Sequence, residues 1–360
     1  MAFANEIAKS LTSAIGANDK ESTVKQYLTT GYSELDFALA SSFEGGIAGG
    51  RIIEISGPPA SGKTAIATAA MASTQKMGGI AGFNDHERSF SLRLAPNLGL
   101  DTTPGRFVFK KPSTFEESIT IAVVAATHIR EKKLIPPDAP ICWVFDSLAS
   151  MVPQSVLIDQ KTGRFREAKD RNMNDNTALA RATSAHMPAF TLHCEELGIC
   201  AIFLNQIRTK IGVVYGDPRT TPGGDAPKFY ASQRVMLSAK KITKGTDTIG
   251  TEVTALVIKN KIARPFLSAQ WRFVFQADGS GKFDTVRSTI DFLDRLKLFE
   301  KSGNYIVWKG TKLYPDALAK RIEAENQMDE LLALLPRSYK PDFVAEAIAL
   351  GSEETDIAAE

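Results

Sequence analysis

Gly57, Pro58, Pro59, Ala60, Ser61, Gly62, Lys63 and Thr64 follow one another in a spacing that holds phosphate. They fit G-x-x-x-x-G-K-[ST] and stand between an apolar, β-branched run at 51–56 and a helical stretch at 63–77. In that setting the backbone N–H groups of the turn point inward at a β-phosphate, and the following helix adds the positive end of its dipole. Lys63 is expected to place a point charge on the β- and γ-phosphates, and the Thr64 hydroxyl to ligate Mg²⁺. Two acids join this loop. The apolar run at 141–146 closes in Asp146 and then Ser147, the shape of a Walker B element, in which the aspartate orients Mg²⁺, usually through water. A strand expected at 80–84 ends in Asp85, His86 and Glu87. That places a carboxylate at the edge where open parallel sheets keep their chemistry; a solvated strand-end acid is the plainer alternative.

Two further segments have the composition of nucleic-acid loops. Between 161 and 171 lie Lys161, Arg164, Arg166, Lys169 and Arg171 against Glu167 and Asp170, a local excess suited to contacts that release counterions from a phosphate backbone. Charge alone favours a solvated loop there. The segment 207–225 combines Arg208, Lys210 and Arg219 with Gly212, Gly216, Gly223 and Gly224. A long glycine-rich loop inside a compact domain is usually functional or disordered, and this one follows the strand expected at 200–205, so what it binds can report to Gln206. Lys259 and Lys261, at a period of two, fall on one face if the strand persists there.

The elements that must position these residues alternate. Little alternation in 51–56 argues for a strand buried on both faces, as in a parallel sheet covered by helices. Strands follow at 107–109 and 141–146 and helices at 32–40, with Ser33 as N-cap, and at 115–131. A helical stretch at 225–232 precedes β-rich runs at 235–241, 251–260 and 270–276, then a turn at 278–282 and helices near 289–298 and 327–335. At the N-terminus an apolar stripe predicts a short amphipathic helix over 5–15, packed on its own domain or on a neighbouring subunit. Residues 351–360 carry four acidic side chains and no basic one, a solubilising tail or a DNA-mimicking arm. With 360 residues, 43% of them hydrophobic, the chain has room for one large α/β core with minor ends. The net charge of +2 is too small to imply a nucleic-acid partner. Three scattered cysteines read as reduced core residues of a cytoplasmic protein, and no zinc-like spacing or membrane-length run is present.

Taken together these residues resemble the bacterial RecA recombinase family, including its phage-encoded relatives. The likeness is densest in 205–218, reading Asn-Gln-Ile-Arg-Thr-Lys-Ile-Gly-Val-Val-Tyr-Gly-Asp-Pro, and continues through 220–232. It is supported by Gly50 to Ile55, the phosphate loop, Asp146-Ser147, and 259–266. The resemblance implies a RecA-type P-loop ATPase core over 30–280 with a mostly parallel sheet flanked by helices. Around it stand an oligomerisation helix and linker at 1–29, a small α+β domain at 281–350 and the acidic tail. It implies a cytoplasmic protein, in the bacterial nucleoid or in host cytoplasm if phage-encoded, that forms a helical filament on single-stranded DNA, pairs it with homologous double-stranded DNA and exchanges strands. ATP and Mg²⁺ are its cofactors, and loading mediators and a single-strand-binding protein are candidate partners.

By position, the resemblance makes Glu87 the activator of the attacking water and Gln206 the sensor of the γ-phosphate. It gives Lys161, Arg164, Arg166, Lys169, Arg171, Arg181, Arg208, Lys210, Ile211, Gly212, Gly223 and Gly224 to DNA. Phe229 goes to the subunit contact, and Lys259 and Lys261 to the neighbour's ATP, stabilising charge in trans. Some positions depart from the family's pattern. Leu94 replaces an expected aromatic over adenine, the first loop is longer and more basic, Pro59 removes an N–H from the cradle, and Pro188 stands where an arginine is expected and predicts a kinked helix. The alternatives are a ring helicase of the same fold and an ATP-gated DNA-binding scaffold with inert hydrolysis, against which Glu87 argues.

Overall fold

The computed structural model describes residues 11–13, 22–159, 161–167, 175, 177–209, 219–276 and 281–335. Most of the expected N-terminal helix, together with Lys169, Arg171, Lys210, Ile211, Gly212 and the acidic tail, lies outside them; 11–13 are helical and exposed. In chain order the elements are β1 (Tyr27–Leu28), α1 (Ser33–Ala40), β2 (Ile47–Ala48), β3 (Ile52–Gly57), α2 (Lys63–Lys76), β4 (Ile80–Asp85), β5 (Phe107–Lys110), α3 (Phe115–Glu131), β6 (Ile141–Asp146), α4 (Gln154–Leu157), α5 (Ala178–Leu197) and β7 (Ile199–Gln206). Then come β8 (Arg208–Thr209), β9 (Arg219–Thr220), α6 (Ala226–Tyr230), β10 (Gln233–Lys244), β11 (Asp247–Asn260), β12 (Ser268–Phe275), β13 (Gly281–Phe283), α7 (Thr285–Arg295), β14 (Lys301–Ser302), β15 (Tyr305–Trp308), β16 (Thr311–Leu313), α8 (Pro315–Ala324) and α9 (Met328–Leu332).

Nine strands bond in the order β13-β12-β11-β10-β3-β7-β6-β4-β5. From β10 to β5 every neighbouring pair is parallel. β3 and β6 are buried at every position, which is why their sequences show apolar runs instead of alternation. α2 is rich in alanine and buried on most of its surface, as expected of a helix without a polar face. The polar start of α3 is held by Thr114, whose side chain accepts from the Glu117 N–H at 3.1 Å, while the Glu117 carboxylate accepts from the Ser113 N–H at 2.7 Å. Phe145 stacks on Phe203 with ring centroids 4.3 Å apart, and Phe190 of α5 meets both edge-on, so the α3 and α5 face of the sheet is an aromatic core.

The chain divides into two compact units, Met1–Lys240 with Val253–Ala269 and Lys241–Glu252 with Gln270–Glu360. In the second, β14, β15 and β16 form an antiparallel sheet, and Ile290, Leu293, Ile306, Trp308, Leu318, Ile322 and Leu331 make its core. Two local expectations are corrected. Ser33 is the first residue of α1, not its cap; the N-cap is Tyr32, which makes no side-chain capping bond. α7 starts at Thr285, before the predicted 289, because the Asp284 carboxylate accepts from the Arg287 N–H. α5 runs on through Pro188. No helix of the described residues is long and apolar enough to cross a membrane.

Candidate nucleotide site and nucleic-acid loops

The phosphate loop leaves β3 while Gly57 is still in register with Gln206. A side chain at Gly57 would stand 2.6 Å from Ser61 Oγ and 2.9 Å from Leu237, so this close return of the chain needs glycine. Gly62, at φ +84° with open space where a Cβ would point, turns the chain into α2. Pro58, Pro59 and Ala60 are exposed. Ser61 is buried, and its hydroxyl has no partner among the described residues. Lys63 Nζ donates to the carbonyls of Gly57 at 3.0 Å and Pro58 at 2.9 Å. Burial holds this ammonium below the usual lysine range, against the pull of Asp146 and Glu87. An orphaned hydroxyl inside the loop and an ammonium folded over it fit a bound phosphate chain.

Thr64 Oγ1 donates to Asp146 Oδ2 at 3.1 Å. Burial, and then the charge of Glu87, push Asp146 up to about 6. A hydroxyl and a carboxylate are the hard oxygen donors that Mg²⁺ takes. Among the described residues no group of three or more His, Cys, Asp or Glu side chains could hold a metal, so an ion here would draw its remaining ligands from phosphate and water.

Glu87 is exposed, on the turn that leaves β4. The Asp146 carbonyl accepts the N–H groups of His86 at 2.7 Å and Glu87 at 3.1 Å, and the Asp85 carboxylate accepts those of Ser89 and Phe90 at 3.2 and 3.3 Å. The turn is therefore fastened on both sides of Glu87. Its Oε1 accepts from Ser147 Oγ at 2.5 Å and from Gln206 Nε2 at 3.2 Å. Ser147, which follows Asp146 through a cis peptide, is a residue whose part the sequence reading missed. Its only signal there is adjacency to the strand-end acid.

Lys259 and Lys261 form a second cluster. Lys259 Nζ donates to the carbonyls of Lys228 and Phe229, both at 2.7 Å, which are last-turn acceptors of α6. Both ammonium groups lie over the Phe229 ring, 5.8 and 5.6 Å from its centroid, and the ring is 67% exposed. Burial, and then Lys261 and Arg234, lower Lys259 to about 8. Among the described residues no hydrogen bond or ion pair joins this cluster to Lys63, Thr64, Glu87 or Asp146.

The loop residues divide. Lys161 and Arg164 are exposed on a turn gathered by Asp159, whose carboxylate accepts from the N–H groups of Lys161 and Thr162 at 3.0 and 2.8 Å. Arg166 instead grips Asp175 through two bonds of 3.1 and 3.2 Å and also donates to the Ser155 carbonyl at 2.9 Å, leaving its side chain 13% exposed. Arg181 is exposed and donates to Thr177 Oγ1 at 2.5 Å. Arg208 lies in β8, which pairs antiparallel with β9, so the second loop has a two-stranded ribbon as its stem. Gly223 and Gly224 have φ of +97° and +73°, and a Cβ on Gly224 would stand 2.8 Å from that of Ala180. Leu94 is half-buried, before a short 3₁₀ turn.

The model of the RecA N-terminal domain family matches residues 4–280. A protein RecA of Mesomycoplasma hyopneumoniae (strain 7448) is 35% identical over 302 residues, covering 84% of this chain and 81% of the relative. A protein RecA of Streptococcus pyogenes serotype M5 (strain Manfredo) is 34% identical over 346 residues, covering 92% and 83%. One from Cytophaga hutchinsonii is 35% identical over 288 residues, covering 79% and 73%. Identity of this order, sustained over most of both chains and joined to a family match that spans the whole phosphate site, means that the chain belongs to the RecA family.

Proposed function

We propose that the chain is an ATP-dependent homologous recombination protein that forms a filament on single-stranded DNA, pairs it with homologous duplex and promotes strand exchange, with DNA-stimulated ATP hydrolysis. The observation that carries this reading is the 3.2 Å bond from Gln206 to Glu87. It joins the stem of the second loop to the carboxylate best placed to act on water, so occupancy of that loop and hydrolysis can be felt by one side chain.

In this reading the Gly57 to Thr64 cradle binds the phosphates through backbone N–H groups, and Lys63 exchanges its two loop carbonyls for phosphate oxygens. Thr64 and Asp146 would hold Mg²⁺, which would supply charge neutralisation to the phosphates. Glu87, oriented by Ser147 and Gln206, takes the proton of the attacking water. Lys259 and Lys261 serve the ATP of the adjacent subunit, with Phe229 in the contact. Lys161, Arg164, Arg181, Arg208, Gly223 and Gly224 line the DNA path. Homology is read by base pairing, while the protein holds backbone. A cytoplasmic setting, loading mediators and a single-strand-binding protein fit this role.

Electron microscopy with single-stranded DNA and a slowly hydrolysed ATP analogue tests it. Helical filaments are expected; closed rings would replace the reading with a ring helicase.

A further inference from the structure

Glu54 is a carboxylate in the middle of a sheet, on β3 between β10 and β7, and only 1% exposed. A buried charge of this kind persists only when it is paired and its lone pairs are filled. Its Oε2 accepts from Arg234 Nε at 2.6 Å, and its Oε1 from Asn205 Nδ2 at 2.8 Å. The same Nδ2 donates to the Pro222 carbonyl at 3.1 Å, and Asn205 Oδ1 accepts from the Gln206 N–H at 3.0 Å. One amide therefore grips the chain where it enters the β8–β9 ribbon and where it returns. Both donors of that amide are engaged, and its oxygen holds the backbone of Gln206. Beyond Pro222, the Gly223 carbonyl accepts from Thr183 Oγ1 at 2.7 Å, which ties the returning strand to α5.

We propose that Asn205, oriented by the buried Glu54–Arg234 ion pair, is a positioning residue that fastens both feet of the ribbon to one point, so that a shift of the ribbon on binding single-stranded DNA is carried to Gln206 and from there to Glu87. This rests on the function proposed above. Without the clip the ribbon and Gln206 move independently, and the nucleotide site works without regard to the ribbon. A purely structural amide would lower stability or nucleotide binding and leave the coupling as it is.

The test is Asn205→Ala, which keeps the ion pair, with Glu54→Gln as second variant should loss of the amide unfold the chain. Hydrolysis is measured with and without oligo-dT, alongside nucleotide affinity. We expect DNA-independent hydrolysis and the KM for ATP to stay within about twofold of wild type while the DNA-stimulated increment falls by about tenfold. The double variant should be no worse than either single one, because both act through one path. Wild-type stimulation in Asn205→Ala, or strictly additive losses, would overturn the clip.

A wild-type chain with no DNA stimulation would instead sink the proposed function. The clip is then decided by trypsin cleavage after Arg208 and Arg219. An ATP analogue should change that rate in the wild type by about fivefold and leave it unmoved in Asn205→Ala; the same response in both would again overturn the clip.

Discussion

Glu87 sits in solvent yet has two donors on one carboxylate oxygen, an arrangement that orients a base more than it hides one. Glu87→Gln keeps the shape and removes the basicity. ATP and DNA binding should survive while turnover falls by about 10²- to 10⁴-fold, read as steady-state hydrolysis beside nucleotide affinity; normal turnover would place the water-activating role elsewhere. Asp36 offers a pH test. It is 1% exposed, accepts from Thr29 Oγ1 and from the Thr30 N–H, and burial raises it to about 7. With the folded-state value above the unfolded one, its stabilising contribution is full below about pH 4 and is lost as pH rises toward 7. Urea titrations should find wild type losing ground to Asp36→Asn across that window, by at most about 4 kcal/mol; a constant difference would mean the ionised carboxylate is accommodated. Placements that depend on local spacing were legible in the sequence: Gly57, Gly62, Lys63 and Thr64 lie within one turn. Ser147 and Asn205 were not, because their partners come from distant parts of the chain, and Arg166 reads as loose charge because Asp175 lies nine residues along the chain.

That ion pair changes what the first loop offers as an element. Lys161 and Arg164 face solvent, while Arg166 braces the loop from within. Neutralising Lys161 and Arg164 should lower the salt slope of single-stranded DNA binding by about 0.7 for each phosphate that is no longer neutralised. Arg166→Gln should leave the slope alone and lower the melting temperature, since the two bonds from Arg166 to Asp175 and the one to the Ser155 carbonyl are then lost. A slope that responds to Arg166 alone would reverse the assignment. Elements that form the buried sheet were readable because an apolar run in β3, β4, β6 or β7 has one way to be buried. The second unit was less so. Strands β14, β15 and β16 are too short for alternation to stand out, and α8 intersperses charges through a single apolar stripe. The start of α7 is hard to place from sequence because its capping aspartate lies ahead of the apolar stripe that marks the helix.

For the whole molecule, the proposed trans role of the lysine pair makes the sharpest prediction, since a site shared between subunits would fail in two complementary ways. Lys63→Ala and Lys259→Ala chains should each be inactive. Mixed in equal amounts they should recover about a quarter of wild-type hydrolysis, the fraction of interfaces in which an intact Lys63 meets an intact Lys259. No recovery would mean that the lysines act within one chain. A single chain's sequence suggests this sharing only by resemblance, because spacing along one chain cannot say which copy a side chain serves. The lone subunit adds something the resemblance does not contain: Lys259 is already occupied by the carbonyls of Lys228 and Phe229. If Lys259 serves a neighbour's phosphates as proposed, a subunit must first give up this grip, two charge-assisted bonds of roughly 1 kcal/mol or more each. In the proposed filament, growth on an existing end would be compensated at once by the nucleotide waiting there, whereas two isolated subunits meeting without nucleotide would not be. Assembly should therefore begin with a lag and elongate quickly, and empty subunits should stay dispersed until ATP supplies a better partner for the lysine than its own helix.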